Sequence, residues 1–134
     1  MVCHSLACLL WLHAVARDDV LSGPVDRVLL VAPPAPDVAL EHPEIAEFAP
    51  PRPDPGRLAA AASYTRVVVG DDDPYCPGGA ATLYADPLGL PVDVLPGQAH
   101  LDLDAGYGPW PSVFDWCLAE SPESYEKTPV HART

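Results

Sequence analysis

Positive charge is scarce in this chain: 7 Lys and Arg stand against 19 Asp and Glu, for a net charge of −12. There is no basic stripe or cluster to meet a phosphate backbone or an anionic headgroup layer. Nucleic acid and membrane surfaces are therefore excluded as partners, and the acidity reads as solubility. Long apolar runs are also missing, and no stretch is long enough to span a bilayer. The four cysteines, Cys3, Cys8, Cys76 and Cys117, form no Cys-x-x-Cys pair and have no histidine at zinc spacing. Cys8 and Cys117 lie among apolar neighbours and read as buried thiols, so a reducing cytoplasm is the simplest compartment. The 18 prolines have no period, which excludes collagen-like and polyproline arrays. No internal repeat is visible.

What is present suits one small domain. The 134 residues are 49% hydrophobic, enough for a real core. Leu6, Leu9, Leu10, Leu12, Ala14 and Val15 predict a largely buried helix over 5–17, ending at Asp18-Asp19. Ala14-Val15-Ala16 has the form of a signal-peptidase site, so a secreted protein matured after Ala16 is an alternative. Against it, no Lys or Arg precedes the run, and His4, Trp11 and His13 interrupt it. Val28-Leu29-Leu30-Val31-Ala32, stopped by Pro33-Pro34, reads as a strand buried on both faces. Residues 33–56 are Pro-rich and acidic and read as a lid-like loop or irregular surface.

A short alanine-rich helix is expected over 58–62 and a second strand over 65–70. A helix over 77–86 follows, with Pro77 near its first position. A third strand, nearer a sheet edge, is expected over 91–96. A last helix over 110–118 would turn Val113, Phe114, Trp116 and Cys117 inward. The alternation predicts an α/β domain with a mainly parallel sheet of three to four strands. Residues 1–121 are assigned to this domain and 122–134 to a flexible polar tail.

In such sheets the reactive groups gather beyond the C-terminal ends of the strands. Three candidates hold that position. Ser5 lies in Cys3-His4-Ser5-Leu6-Ala7, small residues two places to each side, ahead of a helix. That is the form of a nucleophile elbow, with Cys3 and Ala7 in place of the usual glycines. Asp71-Asp72-Asp73 follows the second clear strand and His100 follows the third. Serine, acid, histidine is the chain order of α/β-hydrolases. A histidine can take the serine proton while a carboxylate on its other nitrogen fixes tautomer and charge. Each residue also has a plainer reading: Ser5 as a helix N-cap, Asp73 as a turn-former before Pro74, and His100 as an ordinary loop histidine. Asp71 and Asp72 read as solvated charges, and His100-x-Asp102-x-Asp104 as too sparse for a metal site. His4 reads as a packing residue beside Ser5, Cys3 as a small elbow residue, and Trp11, Trp110 and Trp116 as core or pocket wall.

Taken together, Val2-Cys3-His4-Ser5-Leu6-Ala7, the 28–32 strand, Gly70-Asp71-Asp72-Asp73-Pro74-Tyr75-Cys76-Pro77 and Gly97-Gln98-Ala99-His100 resemble a known family. It is that of the small serine hydrolases related to retinoblastoma-binding protein nine and bacterial YdeN. The resemblance covers the chain to about Leu118, and the acid loop is its most specific part. It implies the C-terminal part of an α/β-hydrolase fold, with Ser5 as nucleophile, Asp73 (the aspartate directly before proline) as the acid and His100 as the base. The Leu6 N–H would serve the oxyanion hole.

The resemblance also implies strands and helices before the elbow, and this sequence opens at the elbow itself. The expectation is therefore an N-terminally truncated domain or a start codon placed late. It would lack the loop that gives the second oxyanion amide, a loss of about 10²–10³ in rate. The function expected is hydrolysis of a small ester or similar acyl substrate, with no cofactor and no metal. The alternative is an inactive remnant that binds a partner. Either would leave a bare sheet edge open to self-association.

Overall fold

The two longest β-branched runs form the centre of the sheet, because only residues apolar on both faces tolerate burial between two layers. The computed structural model describes residues 1–17, 22–50 and 54–133. Its elements run β1 (Val2–His4), α1 (Leu6–Ala16), β2 (Val25–Val31), α2 (Pro36–Glu41), α3 (Pro55–Ala61), β3 (Ala62–Gly70), α4 (Asp86–Leu88), β4 (Val92–Leu95), α5 (Pro111–Leu118) and α6 (Pro122–Lys127). The four strands pair in the order β1-β2-β3-β4, all parallel. Cys3 stands opposite Leu30, Leu30 opposite Val67, and Val68 opposite Asp93. This is the α/β architecture expected from the alternation of elements.

The strand period of two splits the core into two layers. Val28 and Leu30 of β2, with Val67 and Val69 of β3, face Cys8, Leu9, Leu12 and Val15 of α1 and Leu58 of α3. Leu29, Val31 and Val68 face the other way, onto Leu101, Tyr107, Trp116 of α5 and Val130. Helix α1 is apolar on most sides, and most of it is buried, while Ala7, Leu10 and Ala16 are exposed. Among the described residues no helix is long and apolar enough to cross a membrane.

Several expectations are corrected. The expected end of that helix at Asp18-Asp19 lies outside the described residues. β3 starts at Ala62 rather than Thr65, because Ala62 pairs with Val25 and so leaves the helix before it. The helix expected over 77–86 begins at Ala80 instead and runs on to Leu88. Gly79, at φ 77°, closes a turn, a π-helical turn spans Ala81–Ala85, and Pro87 brings no N–H to an α ladder. The 33–56 connection carries α2 and a 3₁₀ turn at Ala46–Phe48. In α5, Val113 and Trp116 lie three apart on the inner face, whereas Phe114 and Cys117 are turned out and exposed.

The segment expected to be a loose tail forms α6 and then lies along β4 and α5. Arg66 donates to the Thr128 carbonyl at 3.1 Å. The Val130 amide donates to Asp93 at 3.1 Å, and the Trp110 indole donates to the His131 carbonyl at 2.7 Å.

Candidate active site

The C-terminal ends of β1, β3 and β4 bring Ser5, Asp73 and His100 to one place. Ser5 occupies the single residue between β1 and α1. Its amide donates to the Val31 carbonyl at 3.0 Å, so the chain must reverse sharply into the helix. The turn forces Ser5 to φ 55°, ψ −125°, a region that a residue with a Cβ seldom adopts. Small Cys3 and Ala7 flank it. Ser5 stands at the N-cap position, yet its side chain makes no capping hydrogen bond. The hydroxyl lies 2.9 Å from His100 Nε2 instead.

His100 is buried, and so is Asp73. The His100 Nδ1 lies 2.9 and 3.1 Å from the two carboxylate oxygens of Asp73. A carboxylate can only accept, so Nδ1 carries the proton and Nε2 is left to accept from the Ser5 hydroxyl. Asp73 also accepts the Tyr75 amide at 2.9 Å. It is thus a turn-former as well as the imidazole's partner, and the two readings of this residue coexist. The imidazole is wedged between Tyr75, edge-on at 4.6 Å, and His4 at 5.0 Å. His4 Nε2 donates to the His100 carbonyl at 2.9 Å, so it packs beside the serine and tethers the histidine's backbone.

Asp71 and Asp72, read from sequence as solvated charges, have partners. Asp71 accepts the Gly97 amide at 2.8 Å and Asp72 the Ala99 amide at 2.7 Å. Gly70 lets these segments touch: a Cβ there would lie 2.2 Å from the Ala99 carbonyl oxygen. The sequence offered one signal for all this. Three adjacent carboxylates repel one another, and such a run directly after a buried strand needs a reason. Asp102, in the sparse metal-like spacing, accepts the Ala105 amide at 2.9 Å. No group of three His, Cys, Asp or Glu among the described residues is arranged to hold a metal ion.

The Leu6 amide heads α1, so it has no intrahelical acceptor and lies at the positive end of the helix dipole. A groove of about 350 Å³ is walled by Val2, His4, Val31, Leu101, Tyr107 and Trp110, so that His4 and Leu101, the chain neighbours of Ser5 and His100, line it. A second hollow of about 260 Å³ lies at the far end of α1, between Val15 and Leu58, away from these groups. The three buried thiols do not compete with Ser5. Burial pushes Cys3 and Cys8 above the ordinary thiol value. Burial, aided by the Asp73 charge, takes Cys76 up to about 11.

Comparison with solved structures finds the ydeN gene product from B. subtilis, with a TM-score of 0.69 at 22% identity. The match covers 85% of this chain and 60% of that one, so this chain spans three-fifths of the protein it matches. At that identity the likeness establishes the fold. No curated protein sequence matches significantly. The family model for serine hydrolases matches residues 1–118, from the first strand through α5. This chain belongs to the serine hydrolase family.

Proposed function

We propose that this serine hydrolase cleaves small ester or similar acyl substrates through a Ser5–His100–Asp73 triad. The observation that carries the reading is the chain of contacts from the Ser5 hydroxyl to His100 Nε2 at 2.9 Å and from Nδ1 to the buried Asp73 carboxylate at 2.9 Å. Ser5 Oγ attacks the acyl carbonyl and passes its proton to Nε2. Asp73 stabilises the imidazolium through Nδ1–H, and the Leu6 amide donates to the oxyanion. Collapse of the tetrahedral adduct breaks the acyl–oxygen bond, and the imidazolium protonates the departing alcohol. Water then gives a proton to Nε2 and attacks the acyl-serine, which releases the acid and restores Ser5. This sequence needs no cofactor. The four cysteines are free thiols, which fits a reducing compartment such as the cytoplasm.

A fluorophosphonate probe tests the assignment. The wild type should be labelled at Ser5, Ser5→Ala should not, and His100→Ala should label about 10³-fold more slowly or worse. Equal labelling in Ser5→Ala, or no labelling of the wild type, overturns it.

A further inference from the structure

Three aspartates follow β3, and only the last reaches the imidazole. The first two grip the loop that carries it. Asp71 takes the Gly97 amide at 2.8 Å, Asp72 the Ala99 amide at 2.7 Å, and Asp73 meets His100 itself at 2.9 Å. The two segments are thus joined step by step, closing on the reactive imidazole. Gly70 completes the join, since Ala99 packs where any larger residue's Cβ would be.

The loop needs such a grip. Gly97, Ala99 and Leu101 all have positive φ, at 65°, 46° and 55°. His100 therefore sits between two side-chain-bearing residues held in the left-handed region, which such residues leave readily when unsupported. Rotation of Ala99 back to an ordinary conformation would swing His100 away from Ser5. A short bond from a backbone N–H to a carboxylate is stronger than one between neutral groups. Two of them, on alternate residues before the histidine, hold the backbone where its torsions are least favourable. The Tyr107 hydroxyl adds a third tie, donating to Gln98 Oε1 at 2.8 Å.

We propose that Asp71 and Asp72 are positioning residues of the hydrolase site, anchoring loop 97–101 by its amides so that His100 is held against Ser5. This rests on the proposed role of His100. Both carboxylates are exposed on their outer sides, so truncating them opens no core. A displacement of about 1 Å at a catalytic group can cost about 10²-fold.

The test uses Asp72→Ala, Asp72→Asn and the Asp71→Ala/Asp72→Ala double variant of the full chain. Asparagine keeps the oxygen that accepts the Ala99 amide. Turnover of p-nitrophenyl butyrate and the rate of fluorophosphonate labelling should fall about 10-fold in Asp72→Ala and about 10²-fold in the double variant. KM should stay within about twofold, and Asp72→Asn should stay near wild type. The double variant should also lose the downfield proton resonance of His100 Nδ1–H and exchange the Gly97 and Ala99 amides faster. Unchanged labelling and turnover in the double variant overturn the proposal, and so does an Asp72→Asn as impaired as Asp72→Ala. A wild type inert to the probe defeats the catalytic reading alone. The resonance then decides the anchoring, which fails if the double variant keeps it unaltered.

Discussion

Ser5 is held in a backbone conformation that its own side chain opposes. A non-glycine residue in so sparse a region costs about 1–3 kcal/mol, supplied by the surrounding fold. Here the β1–β2 pairing and the packing of α1 supply it. Glycine at this position removes the Cβ conflict but adds about 0.5–1 kcal/mol of unfolded-state entropy. Ser5→Gly should therefore be more stable than the wild type by about 1 kcal/mol, seen as a rise of a few degrees in Tm, while probe labelling vanishes. A fall in Tm would show that the turn is unstrained. At this scale the sequence marked Ser5, Asp73 and His100 as candidates, because each sits at a fixed distance from a recognisable neighbour: small flanking residues, a following proline, a preceding strand. Its one hint at Asp71 and Asp72 was the run of three carboxylates itself, since their partners lie 26 and 27 positions away and are backbone amides, which no residue type announces. It misled on Cys117, since apolar neighbours in sequence do not say which face of α5 a residue joins.

The elements matter to the site through their ends. β3 delivers the acid run and β4 the histidine loop, and Gly70 is the point where the two ends are in contact. Alanine at position 70 would set a methyl 2.2 Å from the Ala99 carbonyl oxygen, and backbone on both sides cannot yield as a flexible side chain can. Gly70→Ala should cost about 1–3 kcal/mol in urea unfolding, as overpacking generally does. Since the yielding segment carries His100, labelling of Ser5 should slow at least tenfold in protein that remains folded. Normal labelling in folded Gly70→Ala would mean that the two loops can separate without disturbing the imidazole. The elements themselves were legible in proportion to their periodicity. Continuous apolar runs gave β2 and β3, and a mostly apolar stretch gave α1. The alanine run at 59–62 fits both helix and strand, and only the pairing of Ala62 with Val25 divides it. The pair Gly78-Gly79 was a turn signal inside a stretch read as one helix.

At the scale of the whole fold, the order β1-β2-β3-β4 places the strand that leads to Ser5 at an edge among the described residues. The two edges differ. Beside β4, Asp93 takes the Val130 amide and pairs with Arg66 at 3.0 Å, so the C-terminal segment lies against it. On β1, the Met1 carbonyl and the Ser5 amide both bond to β2. By the alternation of the strand, the backbone groups of Val2 and His4 point the other way. Among the described residues no strand pairs there. The half-exposed side chain of Val2 and the groove beyond it add apolar surface to the same edge. Such an edge invites pairing with another copy, and the charge of −12 opposes it through mutual repulsion. The two terms respond oppositely to salt, because screening weakens only the repulsion. Sedimentation velocity should therefore show association that grows with protein concentration and strengthens between about 20 and 300 mM NaCl, where the Debye length falls from about 20 to about 6 Å. Val2→Pro removes an outward N–H without touching the ladder to β2, and it should return the protein to monomer under both conditions. A chain that stays monomeric at every concentration and salt, or whose association ignores Val2→Pro, would show that this edge is not the surface through which copies meet.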